Sequence, residues 1–305
     1  MKTMTGPGTN QRELSVILVN YNDRSHLPAC LSSLEKALSG LSAEVILVDN
    51  RSGDGSQELV RELFPWVRLI ENDQNAGYSR ANNLGFSHCR GEFVLFLNTD
   101  TVVPADAPAK LLAGLKTCPE VGAVGPALIH ANGRFQVSFG KKVGFFSEMR
   151  QKLIFNPYYK IALRHSRRPR AVGWLSGACL LARRKALEAA GLFDEDFFLY
   201  FEDIDLCRRL AEKGFGLVLC PGVRITHFGG AATSARRWQS RLEYRRSQLR
   251  FYEKHNPRLS SRFLRFYLRL TILALGVSKR RDEDKRRFRE GLRQILANPD
   301  ARVDG

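Results

Sequence analysis

Residues 14–21, LSVILVNY, decide the fold, and EVILVD at 44–49 repeats their pattern. Near-continuous apolar runs of this length belong to strands buried on both faces. Each run ends on a polar pair, Asn20-Tyr21 and Asp49-Asn50. Between them Leu27, Leu31, Leu34 and Leu38 recur at three- and four-residue spacing, which predicts a helix over about 26–40. The turn-rich RSGDGS follows, where Asp54 or Ser56 is placed to cap a second helix ending at Pro65. A strand at 67–71, a helix at about 78–89 and a strand at 92–97 come next, the last running into Asn98-Thr99-Asp100. Strands alternating with helices mean βαβ units, hence an α/β domain with a mainly parallel sheet. Right-handed crossovers place the strand C-termini on one edge, where such sheets bind ligands.

Beyond Pro126 the pattern turns irregular, and residues 130–170 read as a basic, loop-rich insert. A strand is expected at 173–182, a helix at 202–213 closed by Gly214, and strands at 215–219 and 223–227. From Arg236 the chain reads as basic helix. The expected organisation is a flexible tail over 1–12, a catalytic body over 13–235 and a helical C-terminal region over 236–305.

The 305 residues carry a formal charge of +17, unevenly spread. Residues 141–170 hold nine basic and one acidic side chain, and residues 236–305 hold 20 and 8, while the remainder is near neutral. A neutral body with a basic tail suits a cytosolic domain touching an anionic membrane surface better than a nucleic-acid-binding protein. Six cysteines (Cys30, Cys89, Cys118, Cys179, Cys207, Cys220) form no C-x-x-C pair, which argues against a zinc or redox site and fits a reducing compartment. Residues 1–11 lack the apolar stretch of a signal peptide, and the run 270–277 is too short to span a bilayer.

Four polar clusters fall at expected strand ends: Asn20-Tyr21, Asp49-Asn50, Asn75-x-Gly77 and Asn98-Thr99-Asp100. No G-x-G-x-x-G follows the first strand and no G-x-x-x-x-G-K-[ST] occurs, which excludes dinucleotide and P-loop sites. Asp49 is placed to accept from a base or ribose, or to serve as a turn or cap residue. Asp100 suits a divalent ion held by one or two carboxylates and substrate phosphates. In FDEDFFLYFEDID, residues 193–205, aromatic neighbours desolvate the carboxylates, so Glu202 or Asp203 is the candidate base, while Asp205 also fits a helix dipole. His227 ends a strand and is either structural or a metal ligand. A nucleotidyltransferase needs a Gly-rich loop that VNYNDRSH does not supply, and a non-catalytic basic adaptor leaves the four clusters unexplained.

Seven motifs in order, SVILVNYN, VILVDNRSGDGS, NAGYSRANNLG, LFLNTD, WLSGACLLARR, LYFEDIDLCRRL and THFGG, make the chain from about Leu14 to Gly230 resemble a family 2 glycosyltransferase of GT-A fold, in its rhamnosyltransferase-like branch. The resemblance implies transfer of a sugar, rhamnose from dTDP-rhamnose, with inversion, to a glycan or lipid-linked glycan. Alternatives are a UDP- or GDP-sugar donor, or transfer directly to polyprenyl phosphate. It implies Mg2+ or Mn2+ as cofactor, held by Asp100 and His227. Asn20, Tyr21, Asp49, Ser52, Asn75, Gly77, Asn83, Asn98 and Thr99 would face the donor, and Trp174, Ser176 and Gly177 the acceptor. Asp203 would be the base beside Glu202. Two positions depart from the family pattern: Asn98 replaces the first Asp of D-x-D, and Asn82 replaces a common Arg.

In the tail, Arg258, Arg262, Arg265 and Arg269 form one helical stripe, and Phe263, Phe266, Tyr267, Leu270, Leu273, Ala274 and Val277 another. That pattern is expected of a helix lying in a membrane interface, which places the protein in the cytoplasm, peripheral on the inner face of the plasma membrane.

Overall fold

The computed structural model describes residues 12–141, 143–150, 166–229, 237–277 and 283–298. The first half alternates as expected: β1 (Leu14–Asn20), α1 (Leu27–Leu38), β2 (Ala43–Asp49), α2 (Ser56–Leu63), β3 (Arg68–Glu71), α3 (Tyr78–His88) and β4 (Phe93–Asn98). These four strands are mutually parallel in the order β3-β2-β1-β4. Asn20 pairs with Asp49, and Val19 with Asn98, so three of the polar clusters share one sheet edge.

The second half is β5 (Thr101–Val102), α4 (Ala107–Lys116), β6 (Val121–Ile129), β7 (Phe135–Gln136), β8 (Phe139–Gly140), α5 (Phe145–Arg150), β9 (Arg170–Ala171), β10 (Trp174–Leu175), β11 (Cys179–Arg183), α6 (Arg184–Ala190), α7 (Glu202–Glu212) and β12 (Gly216–His227). β11 lies antiparallel between β4 and β6, β12 runs parallel to β6, and β5 closes the path antiparallel to β12. The sheet is therefore mixed. Short β5 leaves the Asn98-Thr99-Asp100 turn and pairs Thr101 with His227, which carries the far end of the sheet back to the first edge.

Side-chain alternation divides the core. Leu14, Val16, Leu18, Leu95 and Leu97 pack with Leu27, Leu31 and Leu34 of α1 and Leu111 and Leu115 of α4. Ile17, Ile46, Val48, Val94 and Phe96 face α3, α6 and α7 through Ala81, Phe86, Leu187, Leu206 and Leu210.

Several expectations change. Residues 107–116 form a helix absent from the sequence reading, and the stretch through Pro126 is the regular strand β6. Proline has no N–H to give a neighbour, and the β12 register shifts between Cys220 and Arg224, where Cys220 faces Pro126. The two strands expected at 215–219 and 223–227 are the halves of this one bulged strand. The single strand expected at 173–182 is split, because Ser176 N–H donates to Ser138 O and Gly177 N–H turns to Asp203.

The basic tail is three helices: α8 (Arg237–His255), α9 (Arg258–Val277) and α10 (Glu283–Ala297). Asn256-Pro257 separates the first two. A third core holds them together, and it includes Phe197 and Phe201 from the acidic-aromatic segment besides Leu249, Tyr252, Leu264, Leu268, Phe288 and Leu292. Helix α9 thus has two apolar faces. Leu264, Leu268 and Ile272 turn inward, while the stripe read from sequence stays outside, with Phe266 58%, Leu270 47% and Leu273 65% exposed. Among the described residues no helix is long and apolar enough to cross a membrane.

Candidate active site

The β1–β2 edge is built around Asp49, which is fully buried. Asn20 Nδ2 donates to Asp49 Oδ2 at 2.7 Å and to Ser52 Oγ at 2.9 Å. Ser52 N–H and Gln57 Nε2 each donate to Asp49 Oδ1 at 2.8 Å. Three donors leave the carboxylate one acceptor position. Asn20 Oδ1 is a buried acceptor with no partner, an orphan that a base N–H or ribose O–H would satisfy. Tyr21 is half-buried beside it and its hydroxyl is unpartnered among the described residues. Gln57, which sequence reasoning missed, sits in the first turns of α2 and has no signal beyond that position.

The third cluster is a turn. Asn75 Oδ1 accepts from Gly77 N–H at 3.1 Å, and Gly77 O accepts from Asn50 Nδ2 at 3.1 Å. Gly77 has φ +87°, and a Cβ there would stand 2.6 Å from the Phe198 ring and 2.8 Å from its carbonyl oxygen. The next residue, Tyr78, donates its N–H to that same oxygen at 2.7 Å. Gly77→Ala is therefore expected to cost about 1–3 kcal/mol for the strained backbone alone. A lower thermal midpoint with reduced kcat would show Phe198 displaced, and an unchanged variant would contradict the close contact. Asn83 donates its amide to Phe193 O at 2.9 Å and accepts from Phe193 N–H at 3.1 Å, which ties α3 to the segment before α7.

At the β4 end, Asn98 Oδ1 accepts from the Tyr78 hydroxyl at 3.1 Å, while its Nδ2 lies 3.4 Å from His227 Nε2. An aspartate here has no N–H to offer the imidazole, which gives the Asn its physical reason. The Thr99 hydroxyl donates to buried Asp23 at 2.8 Å, and Asp23 in turn meets His26 Nδ1 at 2.5 Å, so Thr99 supports the turn from behind. Asp100 Oδ2 accepts from Gly229 N–H at 3.0 Å, and Asp100 Oδ1 lies 3.1 Å from His227 Nε2. His227 Nδ1 meets Gln136 Oε1 at 2.9 Å, which requires the proton on Nδ1. Nε2 thus faces both the Asp100 carboxylate and the Asn98 amide. One carboxylate and one imidazole side by side are groups that a divalent ion accepts as ligands. Among the described residues no group of three or more His, Cys, Asp or Glu gathers, so the protein alone offers only part of such a shell.

Glu202 and Asp203 open α7. Glu202 is buried, with Oε2 unpartnered, and burial followed by the charge of Asp203 pushes its carboxyl well above the usual range. Burial raises Asp203 too, but Gly177 N–H and Ile204 N–H, each 2.8 Å from one carboxylate oxygen, oppose the rise. Both carboxyls are thus raised, and the two N–H donors make Asp203 the one whose ionised form is better supported. Of the expected acceptor-side residues, Gly177 touches Asp203 directly, and a Cβ there would stand 3.2 Å from that of Asp203. Ser176 and Trp174 flank it in the same segment. The Tyr78 hydroxyl lies 3.1 Å from Gly177 O as well as from Asn98, so a line of contacts runs from Asp203 through Gly177, Tyr78, Asn98 and His227 to Asp100. Asp205 belongs elsewhere: Arg209, Lys254 and His255 surround it, joining α7 to α8.

The comparisons with known proteins agree with this arrangement. Residues 15–191 match the Glycosyl transferase family 2 signature. The N-acetylglucosaminyl-diphospho-decaprenol L-rhamnosyltransferase of Mycobacterium tuberculosis is 32% identical over 240 residues, which cover 72% of this chain and 77% of that one. The O-antigen biosynthesis protein RfbC of Myxococcus xanthus is 31% identical over 72% of this chain but only 18% of its own. In fold, the mannosyltransferase PcManGT from Pyrobaculum calidifontis, solved with GDP-Man and Mn2+, superposes with a TM-score of 0.58 at 19% identity, over 95% of this chain and 82% of that one. GalNAc-T7, solved with UDP, GalNAc and Mn2+, gives 0.58 at 18% identity over 71% and 43%. A sheet edge of the GT-A kind, the ordered motifs and the family match converge: the chain belongs to family 2 of the glycosyltransferases and is an enzyme of that class.

Proposed function

We propose that the enzyme transfers L-rhamnose from dTDP-rhamnose, with inversion, to a hydroxyl of a lipid-linked glycan, working at the inner face of the plasma membrane. The observation that carries this reading is the line of contacts joining Asp203 to Asp100, which sets one base opposite one anion-neutralising end. The name of the Mycobacterium tuberculosis relative supports the sugar and the polyprenyl-diphosphate acceptor.

In this reading Asn20, Tyr21, Asp49, Ser52 and Asn75 receive the nucleoside. Asp203 accepts the proton of the acceptor hydroxyl as that oxygen bonds to the anomeric carbon. The bond from that carbon to the diphosphate breaks on the opposite face, and the nucleoside diphosphate leaves with the electron pair. A diphosphate needs no protonation to leave, so a single base suffices, unlike the paired carboxylates of glycosidases. Burial raises the Glu202 carboxyl and so disfavours a second negative charge beside Asp203. Mg2+ or Mn2+, held by Asp100 and His227, would neutralise charge on the departing diphosphate.

The test is nucleoside diphosphate release from a panel of dTDP-, UDP- and GDP-sugars, with a polyprenyl-diphosphate-linked N-acetylglucosamine as acceptor. Turnover with dTDP-rhamnose, lost in chelator and restored by Mg2+ or Mn2+, is expected. Asp100→Ala should weaken donor binding most when the metal is present. Preference for another donor overturns the sugar, and full activity in excess chelator overturns the metal.

A further inference from the structure

A cavity of about 330 Å³ lies at the start of α9, outside the site above, lined by Glu253, Asn256, Arg258, Ser261, Arg262 and Arg265. Its charges are uneven. Arg265 donates to Glu253 Oε1 at 2.5 Å and to Leu296 O at 3.2 Å, so that carboxylate is already neutralised. Arg258 and Arg262 are exposed and have no carboxylate partner among the described residues. Two polar atoms of the lining are buried without partners: Ser261 Oγ, in a residue 8% exposed, and Asn256 Nδ2. The cavity also meets the first turn of a 20-residue helix, where backbone N–H groups lack helical acceptors. Two uncompensated guanidinium groups, two orphaned polar atoms able to donate and a helix N-terminus ask for one compact anion with several acceptor oxygens.

The surroundings narrow the anion. Leu259, Phe263, Phe266, Leu270 and Leu273 lie along the same helix at 60%, 38%, 58%, 47% and 65% exposure. A soluble phosphate leaves such a stripe in water, whereas a phospholipid supplies an anionic head for the cavity and an apolar layer for the stripe. We propose that the cavity receives the phosphate of a membrane-lipid headgroup and that α9 lies in the bilayer interface, an inference that rests on the lipid-linked acceptor reading for its purpose but not for its test. Helix α8 is tied to the base-bearing segment, since Ser247 Oγ donates to Leu199 O at 2.8 Å. Docking here therefore fixes the height of Asp203 above the membrane.

The experiment is co-sedimentation of the full chain with vesicles of phosphatidylglycerol in phosphatidylcholine, and with vesicles given the same surface charge by oleic acid. Arg258→Gln with Arg262→Gln is compared with Arg269→Gln with Arg293→Gln, which removes equal charge from exposed positions outside the cavity. The expected result is binding to phosphatidylglycerol that falls about tenfold or more in the first pair and distinctly less in the second. Ser261→Ala should weaken it in the same direction. Equal losses in the two pairs, or equal binding to oleate vesicles, mean diffuse attraction and overturn the site. Protection of the cavity arginines by inorganic phosphate without vesicle binding overturns the lipid, and a dimer that hides the stripe overturns the bilayer. Donor turnover, measured separately, reports on the enzymatic reading alone.

Discussion

Asp203→Asn leaves donor binding close to wild type and lowers kcat by about 10²–10⁴-fold, the contribution of a positioned general base. The amide keeps the shape of the carboxylate, so the packing against Gly177 survives, but it cannot accept the acceptor's proton. Glu202→Gln is expected to cost far less, because burial and the Asp203 charge push the Glu202 carboxyl upward and disfavour the ionised form a base requires. The pH profile separates the two. Burial raises the Asp203 carboxyl above the ordinary range, so the acidic limb of kcat should lie higher than for a solvated aspartate and persist in Glu202→Gln. A Glu202→Gln variant that is dead beside an active Asp203→Asn would exchange their roles. Steady-state kinetics with a separate binding titration decides this.

Asp205→Ala is the substitution expected to destabilise the fold most. The residue is fully buried, and Arg209 Nε, Lys254 Nζ and His255 Nε2 reach it at 2.7, 2.7 and 2.6 Å. Lys254 keeps Asp194, but removing the carboxylate leaves Arg209 and His255 without their acidic partner in a poorly solvated seam, at a cost of about 3–5 kcal/mol. Burial by itself would raise the Asp205 carboxyl, but the bonds from His255, Lys254 and Arg209 outweigh it and bring it down from 3.8 to about 2. The sign follows: a carboxyl depressed in the folded state contributes stability above its unfolded value, lost as pH falls through the folded one. Wild type should thus shed about 2 kcal/mol of this contribution between pH 3.8 and about 2, and Asp205→Ala should not. Denaturant midpoints measured across that range test the claim, and parallel pH curves would refute it.

The first four strands were legible because a strand buried on both faces has to be apolar along its length, so its polar end stands out. The same logic located Asn20, Asp49, Asn98 and Asp100 at one edge. It failed at β6, where Pro126 reads as a break, yet a bulge in β12 absorbs the missing N–H. It failed again at Trp174–Arg183, where apolar residues on both sides of Ser176-Gly177 mask the turn that brings Gly177 to Asp203. Gln57, Tyr78, Asp23 and Gln136 escaped because their roles are relational. Gln136 matters through His227, 91 residues away, and Tyr78 through Gly177, 99 residues away. The bonds of Thr99 to Asp23 and of Asn83 to Phe193 likewise depend on residues far off in sequence. The outward stripe of α9 was legible, whereas its inward one became visible only once Phe197 and Phe201 were seen to share its core.

That shared core limits how the protein can be recombined. Phe193 packs on Phe96 of β4 with ring centroids 4.8 Å apart, Phe198 covers Gly77, and Phe197 and Phe201 enter the helical bundle. One short aromatic run is thus spoken for by three neighbours at once, immediately before Glu202 and Asp203. A chimaera that exchanges α8 to α10 while retaining the host's residues 193–201 would graft a foreign surface onto the ring faces that set the direction of Asp203. New acceptor preferences should therefore transfer between relatives only when the run and the bundle travel together as one cassette.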